Sequence, residues 1–239
     1  MRLQSDFLNG LFVSILYGFA VRYFLPAMGM NPSLQYPLFI GGIVSLAMRS
    51  AYLHNMNVTK DIDASGFMYY QLASAGSVGE VVLSRLCGQM LSLSITLGSY
   101  MLLGYVMMRD SCVCLFSGSL ALVFVAITSF LATFCMFWSY RLRLDRYLDL
   151  FWPRVLGPMI VFGGVHFTWH KMHLLSPRVA KIFLCSPLLY CTEGLRASLL
   201  GNAQSIPLLI TVPMLFMLSG MFFLAAMYQL QKRTDCVMR

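Results

Sequence analysis

The chain has 239 residues, of which 59% are hydrophobic and 11% charged, and its mean hydropathy is +0.73. A soluble domain carries about 25% charged residues, and a soluble fold of this size could not cover so much apolar surface. The composition therefore excludes an ordinary soluble domain and indicates a chain that lipid solvates. The net charge of +8 needs no nucleic acid to explain it, because basic flanks facing anionic lipid are enough.

Long uncharged stretches predict about six membrane-spanning helices, arranged as a single transmembrane domain over residues 1–239. Each stretch approaches the roughly 20 apolar residues that a helix needs to cross the hydrocarbon core. Residues 119–135 are nearly continuous in apolar side chains, which is typical of a helix and not of alternating barrel strands. The predicted spans are 8–28, 36–53, 87–108, 114–137, 151–168 and 206–230. The sequence therefore predicts an all-α integral membrane protein.

Basic residues divide the chain into two predicted sides. The larger set marks the predicted cytoplasmic side of a bacterial inner membrane, with both termini in the cytoplasm. Its members are Arg2, Arg49, Lys60, Arg85, Arg141, Arg143, Arg146, Arg154, Lys232, Arg233 and Arg239. The outer set is Arg109, Lys171, Arg178, Lys181 and Arg196. The main inner loop is then 55–85, and the main outer segment is 171–205.

The sequence holds no motif that would let this chain hydrolyse ATP. A phosphate-binding loop needs a lysine directly after a glycine. None of the lysines, Lys60, Lys171, Lys181 and Lys232, follows a glycine. The nucleophile elbow of hydrolases and the zinc-binding helix of metalloproteases are absent as well. We therefore expect that the chain is not an enzyme and binds no cofactor of its own.

The sharpest motif lies in the outer segment, where residues 186–197 read SPLLYCTEGLRA. This stretch resembles the signature of type-2 ABC export permeases, Asn-Pro-Leu-Thr-Tyr followed after two residues by Glu-Gly-Leu-Arg. It departs from that signature at Ser186, where the family usually has Asn. The preceding GGVHF at 163–167 is similar to the family's Ser-Gly-x-x-Phe. The resemblance implies short re-entrant helices before the last span and an outer gate formed by Pro187, Tyr190, Glu193, Gly194 and Arg196.

The resemblance also implies a coupling helix in the inner loop 60–85, where family members dock on a separate ATPase. The matching residues are Phe67, Met68, Tyr69, Tyr70, Gln71 and Leu72. The chain departs from the family at Leu72-Ala73, where Leu-Pro is common, and in the few residues that precede its first span. Exposed aromatic residues beside acids suit a docking surface, and they also suit an aromatic belt at the membrane surface.

The implied assembly contains two ATPase subunits, which would carry ATP and Mg²⁺, and a second copy or close relative of this chain within the lipid bilayer. Export permeases of this kind move glycolipids, polysaccharides, drugs, peptides or cofactors. A non-ABC membrane carrier is an alternative, but such carriers usually place several ionisable residues in mid-membrane. The predicted spans contain almost none.

Several residues leave two interpretations open. Glu193 and Arg196 are three apart and share a helical face, so they form an intrahelical ion pair, a gate element or both. Arg22 lies within the first predicted span, where it either reaches the interface or lines a translocation path. Cys185 and Cys191 could form a disulfide only if their segment faces an oxidising compartment.

A cluster of histidines raises an alternative of another class, a membrane-embedded metalloenzyme. His166, His170 and His173 have the spacing of one helical face, which suits metal ligands. No Asp or Glu lies close in sequence to serve as a further ligand or base. Histidines beside Trp169 at the membrane interface are the simpler interpretation.

Overall fold

The described part of the computed structural model is helical and contains no strand. It comprises residues 2–29, 31, 34–65, 70, 71, 74, 77–107, 118–200 and 205–238. The helices are α1 (Arg2–Phe19), α2 (Leu25–Ala27), α3 (Gln35–Lys60), α4 (Val78–Met107), α5 (Gly118–Arg141), α6 (Leu144–Arg146), α7 (Gly157–Phe162), α8 (Trp169–Leu175), α9 (Pro177–Phe183), α10 (Pro187–Leu200) and α11 (Leu208–Met238). Wider π-helical segments connect α1 to α2, extend α3 and connect α6 to α7. These segments are Ala20–Phe24, Asp61–Ser65 and Tyr147–Leu156.

Four helices in the described residues are long and apolar enough to cross a membrane, which supports the predicted all-α membrane class. They are Gln35–Asp63, Val78–Val106, Gly118–Arg141 and Leu208–Arg233. The first predicted span coincides with a shorter apolar helix, Leu11–Ala27. The fifth coincides with the helix that ends at Phe162. The count of six spans therefore stays a prediction.

The helices on either side of the inner loop are longer than hydropathy predicts. The sequence predicts a second span that ends at residue 53 and a third that begins at residue 87. Instead α3 runs to Lys60 and its π-helical extension to Ser65, while α4 begins at Val78. Backbone hydrogen bonds continue past the point where the sequence stops being apolar. The interval between Ser65 and Val78 is therefore shorter than the predicted loop, 55–85.

Helix α5 lies at the centre of the bundle, and 72% of its most apolar window is buried. It runs parallel to α11, and polar and aromatic contacts follow one another along the pair. The Ser129 and Ser219 hydroxyls are 2.6 Å apart, and the rings of Phe134 and Phe222 meet edge to face at 5.0 Å. Such contacts hold helices together in lipid, where the hydrophobic effect between helices is lost.

Two adjacent glycines let other segments approach α3 closely. A Cβ on Gly41 would overlap the backbone of Val165, and one on Gly42 would overlap the ring of Tyr17. Small residues at helix crossings allow such backbone approach in membrane bundles. The first helix and the turn after α7 therefore both depend on this part of α3.

Replacing Gly41 by Ala should destabilise the bundle by about 1–3 kcal/mol, the usual cost of overpacking. We expect the unfolding temperature of the detergent-purified protein to fall by several degrees. Gly88→Ala is the matched control, because no atom lies within 4 Å of a Cβ at that position. Ala is also the better helix former, so this variant should unfold at or above the native temperature. Equal unfolding temperatures for the two variants would contradict the proposed packing.

Candidate functional site

The signature segment forms α10, which is buried along nearly its whole length. Residues 188–199 are all buried, including the polar side chains of Thr192, Glu193 and Arg196. The helix begins at Pro187, where a missing backbone N–H costs nothing because the first turn has no acceptor for it. A buried helix with charged side chains must satisfy those charges internally. Its hydrogen bonds therefore identify the site.

Glu193 and Arg196 form a fully buried ion pair. Arg196 Nη1 lies 2.8 Å from Glu193 Oε1, and the two side chains are 1% and 0% exposed. The predicted shared helical face is confirmed. Burial lowers the pKa of the Arg196 guanidinium from its ordinary value, and the neighbouring Glu193 carboxylate opposes that shift.

All five N–H groups of the Arg196 guanidinium donate hydrogen bonds. Nε and Nη2 donate to the carbonyl oxygen of Pro37 in α3, at 3.1 and 2.6 Å. Nη2 also donates to Gly164 O at 2.7 Å, and Nη1 donates to Phe167 O at 3.1 Å in addition to Glu193. One side chain on α10 therefore ties together the start of α3 and the turn after α7. We call these five residues the Arg196 network.

The turn at 163–168 is shaped so that its carbonyl groups can reach the guanidinium. Gly164 has a φ of +67°, and a Cβ there would meet Leu189 at 2.7 Å, so glycine is required. Thr192 Oγ1 donates to Gly163 O at 2.7 Å, which ties the turn to α10 a second time. The two stretches that carried the family resemblance therefore form one site.

Two further signature residues hold the ends of this site. The Tyr190 hydroxyl donates to Leu184 O at 3.0 Å, just before α10 begins. Gly194 lies where α10 crosses its neighbours, with Thr211 and Val123 each 3.5 Å from a Cβ built there. Both residues therefore contribute to the packing of α10.

Glu193 also links α10 to the short helix α8. Its Oε1 accepts a hydrogen bond from Trp169 N at 3.1 Å. This amide is one of the groups at a helix start that have no partner within the helix. Glu193 Oε2 and Trp169 Nε1 are buried and have no hydrogen-bond partner in the described part of the chain.

The three histidines do not share a helical face, so the spacing argument for a metal site is wrong. His166 lies in the non-helical turn and is exposed, because α8 begins only after the extended residue Thr168. His173 stacks on Trp169, with ring centroids 5.0 Å apart. Among the described residues, no three His, Cys, Asp or Glu side chains are grouped to hold a metal ion.

Cys185 and Cys191 are not bridged. Both thiols are free: Cys185 is exposed, while Cys191 lies fully buried in α10. The possible disulfide is therefore not present in this structure.

The opposite end of the bundle holds a second polar cluster, which the sequence did not predict. Asp63 Oδ2 accepts a hydrogen bond from Leu144 N at 2.6 Å, and its Oδ1 lies 3.5 Å from Arg233 Nη2. Arg85 donates twice to Gln71 Oε1, at 3.0 and 2.6 Å, and lies 3.8 Å from Asp61. Residues from the extension of α3, from α4, α6 and α11 meet here, and we call them the inner-end cluster, after the side that the sequence predicts to be cytoplasmic.

Only part of the predicted coupling helix can be described. Tyr70 is 71% exposed, and Gln71 belongs to the inner-end cluster. Phe67, Met68, Tyr69 and Leu72 lie outside the described residues.

Charged residues also lie along two helices at the periphery of the bundle. Arg22 is half-buried in the π-helical segment after α1, and its guanidinium lies 5.7 Å from the ring centre of Tyr23. Asp149 and Arg154 are exposed on the segment Tyr147–Leu156. The predicted cytoplasmic position of Arg154 stays a prediction.

Comparison of the chain with models of known protein families, with curated proteins and with solved structures finds no match.

Removing Arg196 should cost more than removing the whole ion pair. Arg196→Met leaves the Glu193 carboxylate buried without a counter-charge, which costs about 3–5 kcal/mol. We expect the double variant Glu193→Gln/Arg196→Met to unfold at a higher temperature than Arg196→Met alone. Lys232→Ala, at an exposed position, is the control and should change stability by at most about 0.5 kcal/mol.

Thermal unfolding of the detergent-purified variants measures this difference. A double variant that is no more stable than Arg196→Met would show that the pairing of the two charges is not what stabilises the site.

Proposed function

We propose that this chain is the transmembrane subunit of an ATP-driven exporter of the type-2 ABC kind. The Arg196 network carries the proposal, because its buried hydrogen bonds join the two stretches that resemble the family signature. In this proposal six spans and short re-entrant helices lie in a bacterial inner membrane, and both termini are cytoplasmic. ATP is hydrolysed on two copies of a separate ATPase subunit, which hold ATP and Mg²⁺.

Helix α3 is the element that would transmit movement across the membrane. It provides the Pro37 carbonyl to the Arg196 network at one end. Its extension provides Asp61 and Asp63 to the inner-end cluster at the other. At a rise of 1.5 Å per residue, the two sites are about 40 Å apart along one continuous helix. If α3 moves as a rigid body, a shift of its end at the inner-end cluster would also move the Arg196 network.

The ATPase would act on this helix through the loop 60–85. Gln71, directly after the exposed Tyr70, is bonded to Arg85, and Arg85 lies beside Asp61. A protein that binds this loop would consequently be able to move both α3 and α4. ATP drives the cycle only if the ATPase pair binds it more tightly in one conformation than in the other.

The peripheral charges support a second permease copy. Charged side chains within a membrane usually face protein or water rather than lipid. The segment that carries the exposed residues Asp149 and Arg154 packs on α3 through Tyr147, whose hydroxyl donates a hydrogen bond to Tyr52 O. We infer that a second copy covers this side of the bundle and that the translocation path runs between the copies. The resemblance covers many cargo classes, so the proposal names the transport step and not the cargo.

A second candidate function, a carrier driven by an ion gradient, is favoured by one observation. Glu193 Oε2 is a buried carboxylate oxygen without a partner among the described residues. Ion-coupled carriers use such groups. Transport that continues without any ATPase and follows a proton or sodium gradient would favour this alternative.

The proposal predicts that Tyr70→Asp uncouples the chain from its ATPase. A charge placed in the core of a docking surface should weaken association strongly. The measurement is co-purification of the permease with a candidate ATPase expressed in the same cells, together with ATP turnover of the reconstituted complex. Lys232→Asp is the matched control, since it changes an exposed residue at the same end of the bundle. Unchanged association and turnover for Tyr70→Asp would refute docking at this site.

The proposed orientation predicts which residues an impermeant maleimide can reach. In a background without the native cysteines, Lys171→Cys should be labelled in intact spheroplasts. Ser74→Cys should be labelled only after the membrane is permeabilised. Both positions are exposed, so burial cannot explain a difference. Labelling of residue 74 in intact spheroplasts would place the loop 60–85 outside the cytoplasm and would contradict the proposed docking of an ATPase there.

A further inference from the structure

Helices α8 and α9 form a small hairpin that packs against the bundle with one face only. Its inward side chains include Ala180, which is fully buried, and Phe183, whose ring meets those of Phe162 and Phe167 at 5.2 and 5.0 Å. Ser176 separates the two helices in an extended conformation. The hairpin is therefore anchored at its base, and its outer face and tip point away from the protein.

The tip and outer face of this hairpin are strongly apolar. Leu174 and Leu175 at the tip are 71% and 81% exposed, and Ile182 on α9 is 58% exposed. Isolated exposed leucines are ordinary on protein surfaces, but adjacent ones at the tip of a projecting hairpin form an apolar patch. Such a patch at the end of a membrane bundle is suited to contact with lipid.

The same surface carries cations and no acid. Lys171, Arg178 and Lys181 are exposed, and none of them takes part in an ion pair of the described residues. Residues 150–192 contain no Asp or Glu. The next acid, Glu193, is buried against Arg196. The hairpin therefore presents an uncompensated positive charge.

Helical geometry arranges these residues as an amphipathic surface. On α9, Arg178 and Lys181 are three residues apart and share one face, while Val179 and Ile182 share the neighbouring face. On α8, Lys171 lies on the same face as Leu174 and Leu175 by the same spacing. A helix with an apolar face beside basic residues lies in the boundary between acyl chains and headgroups.

We propose that the α8–α9 hairpin is a lipid-binding element: Leu174 and Leu175 enter the adjacent leaflet, and Lys171, Arg178 and Lys181 bind the phosphate groups of anionic phospholipids. Charge complementarity selects this partner. Lysine and arginine stems lie along apolar surface and extend their charged ends toward headgroups, and anionic lipid attracts such clusters. The hairpin is joined to the Arg196 network through Trp169 N and Glu193. Binding of anionic lipid to the hairpin therefore stabilises the position of the Arg196 network.

The experiment uses the full chain, labelled with an environment-sensitive fluorophore at Ser176→Cys in a background without other cysteines. This position lies between the helices and leaves both tip leucines intact. The protein is reconstituted into phosphatidylcholine alone or mixed with phosphatidylglycerol, and quenching by doxyl-labelled acyl chains is compared with quenching by aqueous iodide. We expect phosphatidylglycerol to increase quenching by the acyl chains and to decrease quenching by iodide.

The variant Lys171→Gln/Arg178→Gln/Lys181→Gln should lose this response to phosphatidylglycerol. Lys60→Gln/Arg143→Gln/Lys232→Gln removes the same number of exposed cations elsewhere, and this control should keep the response. Leu174→Ser/Leu175→Ser should lower acyl-chain quenching in both lipid mixtures.

Three outcomes would overturn the proposal. The first is equal quenching of the native hairpin in the two lipid mixtures, and the second is a native response from the triple hairpin variant. The third is abolition of the response by inorganic phosphate at constant ionic strength, which would identify free phosphate as the ligand. No ATPase is present in these measurements, so the result is independent of the proposed transport cycle.

Discussion

A buried guanidinium group governs the architecture of this protein. Arg196 is almost completely excluded from solvent, and an unsatisfied charged donor in such a place would be very costly. One carboxylate cannot accept five N–H groups in the geometry of a planar fork. The remaining acceptors come from main-chain carbonyl groups of α3 and of the turn after α7. The positions of several segments relative to α10 follow from that requirement.

The surrounding sequence is consistent with the same constraint. A helix interior offers few spare acceptors, because its carbonyl groups already bond within the helix. The glycine pair at 163 and 164 ends α7, and the non-helical residues that follow can direct their carbonyl groups at the guanidinium. Gly41 lets this turn lie directly on α3. Since the acceptors are main-chain atoms, the identities of the residues that provide them are constrained by shape and not by side-chain chemistry.

Some of this organisation could be predicted from the sequence, and the reasons for the rest are physical. The apolar stretches identified the helical membrane class, and the three-residue spacing identified the pairing of Glu193 with Arg196. The carbonyl partners of Arg196 left no signal, because every residue has the same backbone. The prediction that the three histidines share a helical face was wrong, because a periodic spacing has meaning only within one helix and α8 begins after His166. Hydropathy marked where the apolar sequence ends, whereas α3 and α4 extend as far as their hydrogen bonds allow.

The long sequence separation within the Arg196 network has a consequence for biosynthesis. Arg196 follows its partner Pro37 by 159 residues. At about 5–20 residues per second, a ribosome needs roughly 10–30 s to make the intervening chain. The helices that are made first therefore lack the contact between Pro37 and Arg196 until α10 has been synthesised. Chains that stop before this point lack the hydrogen bonds that join α3 to α10.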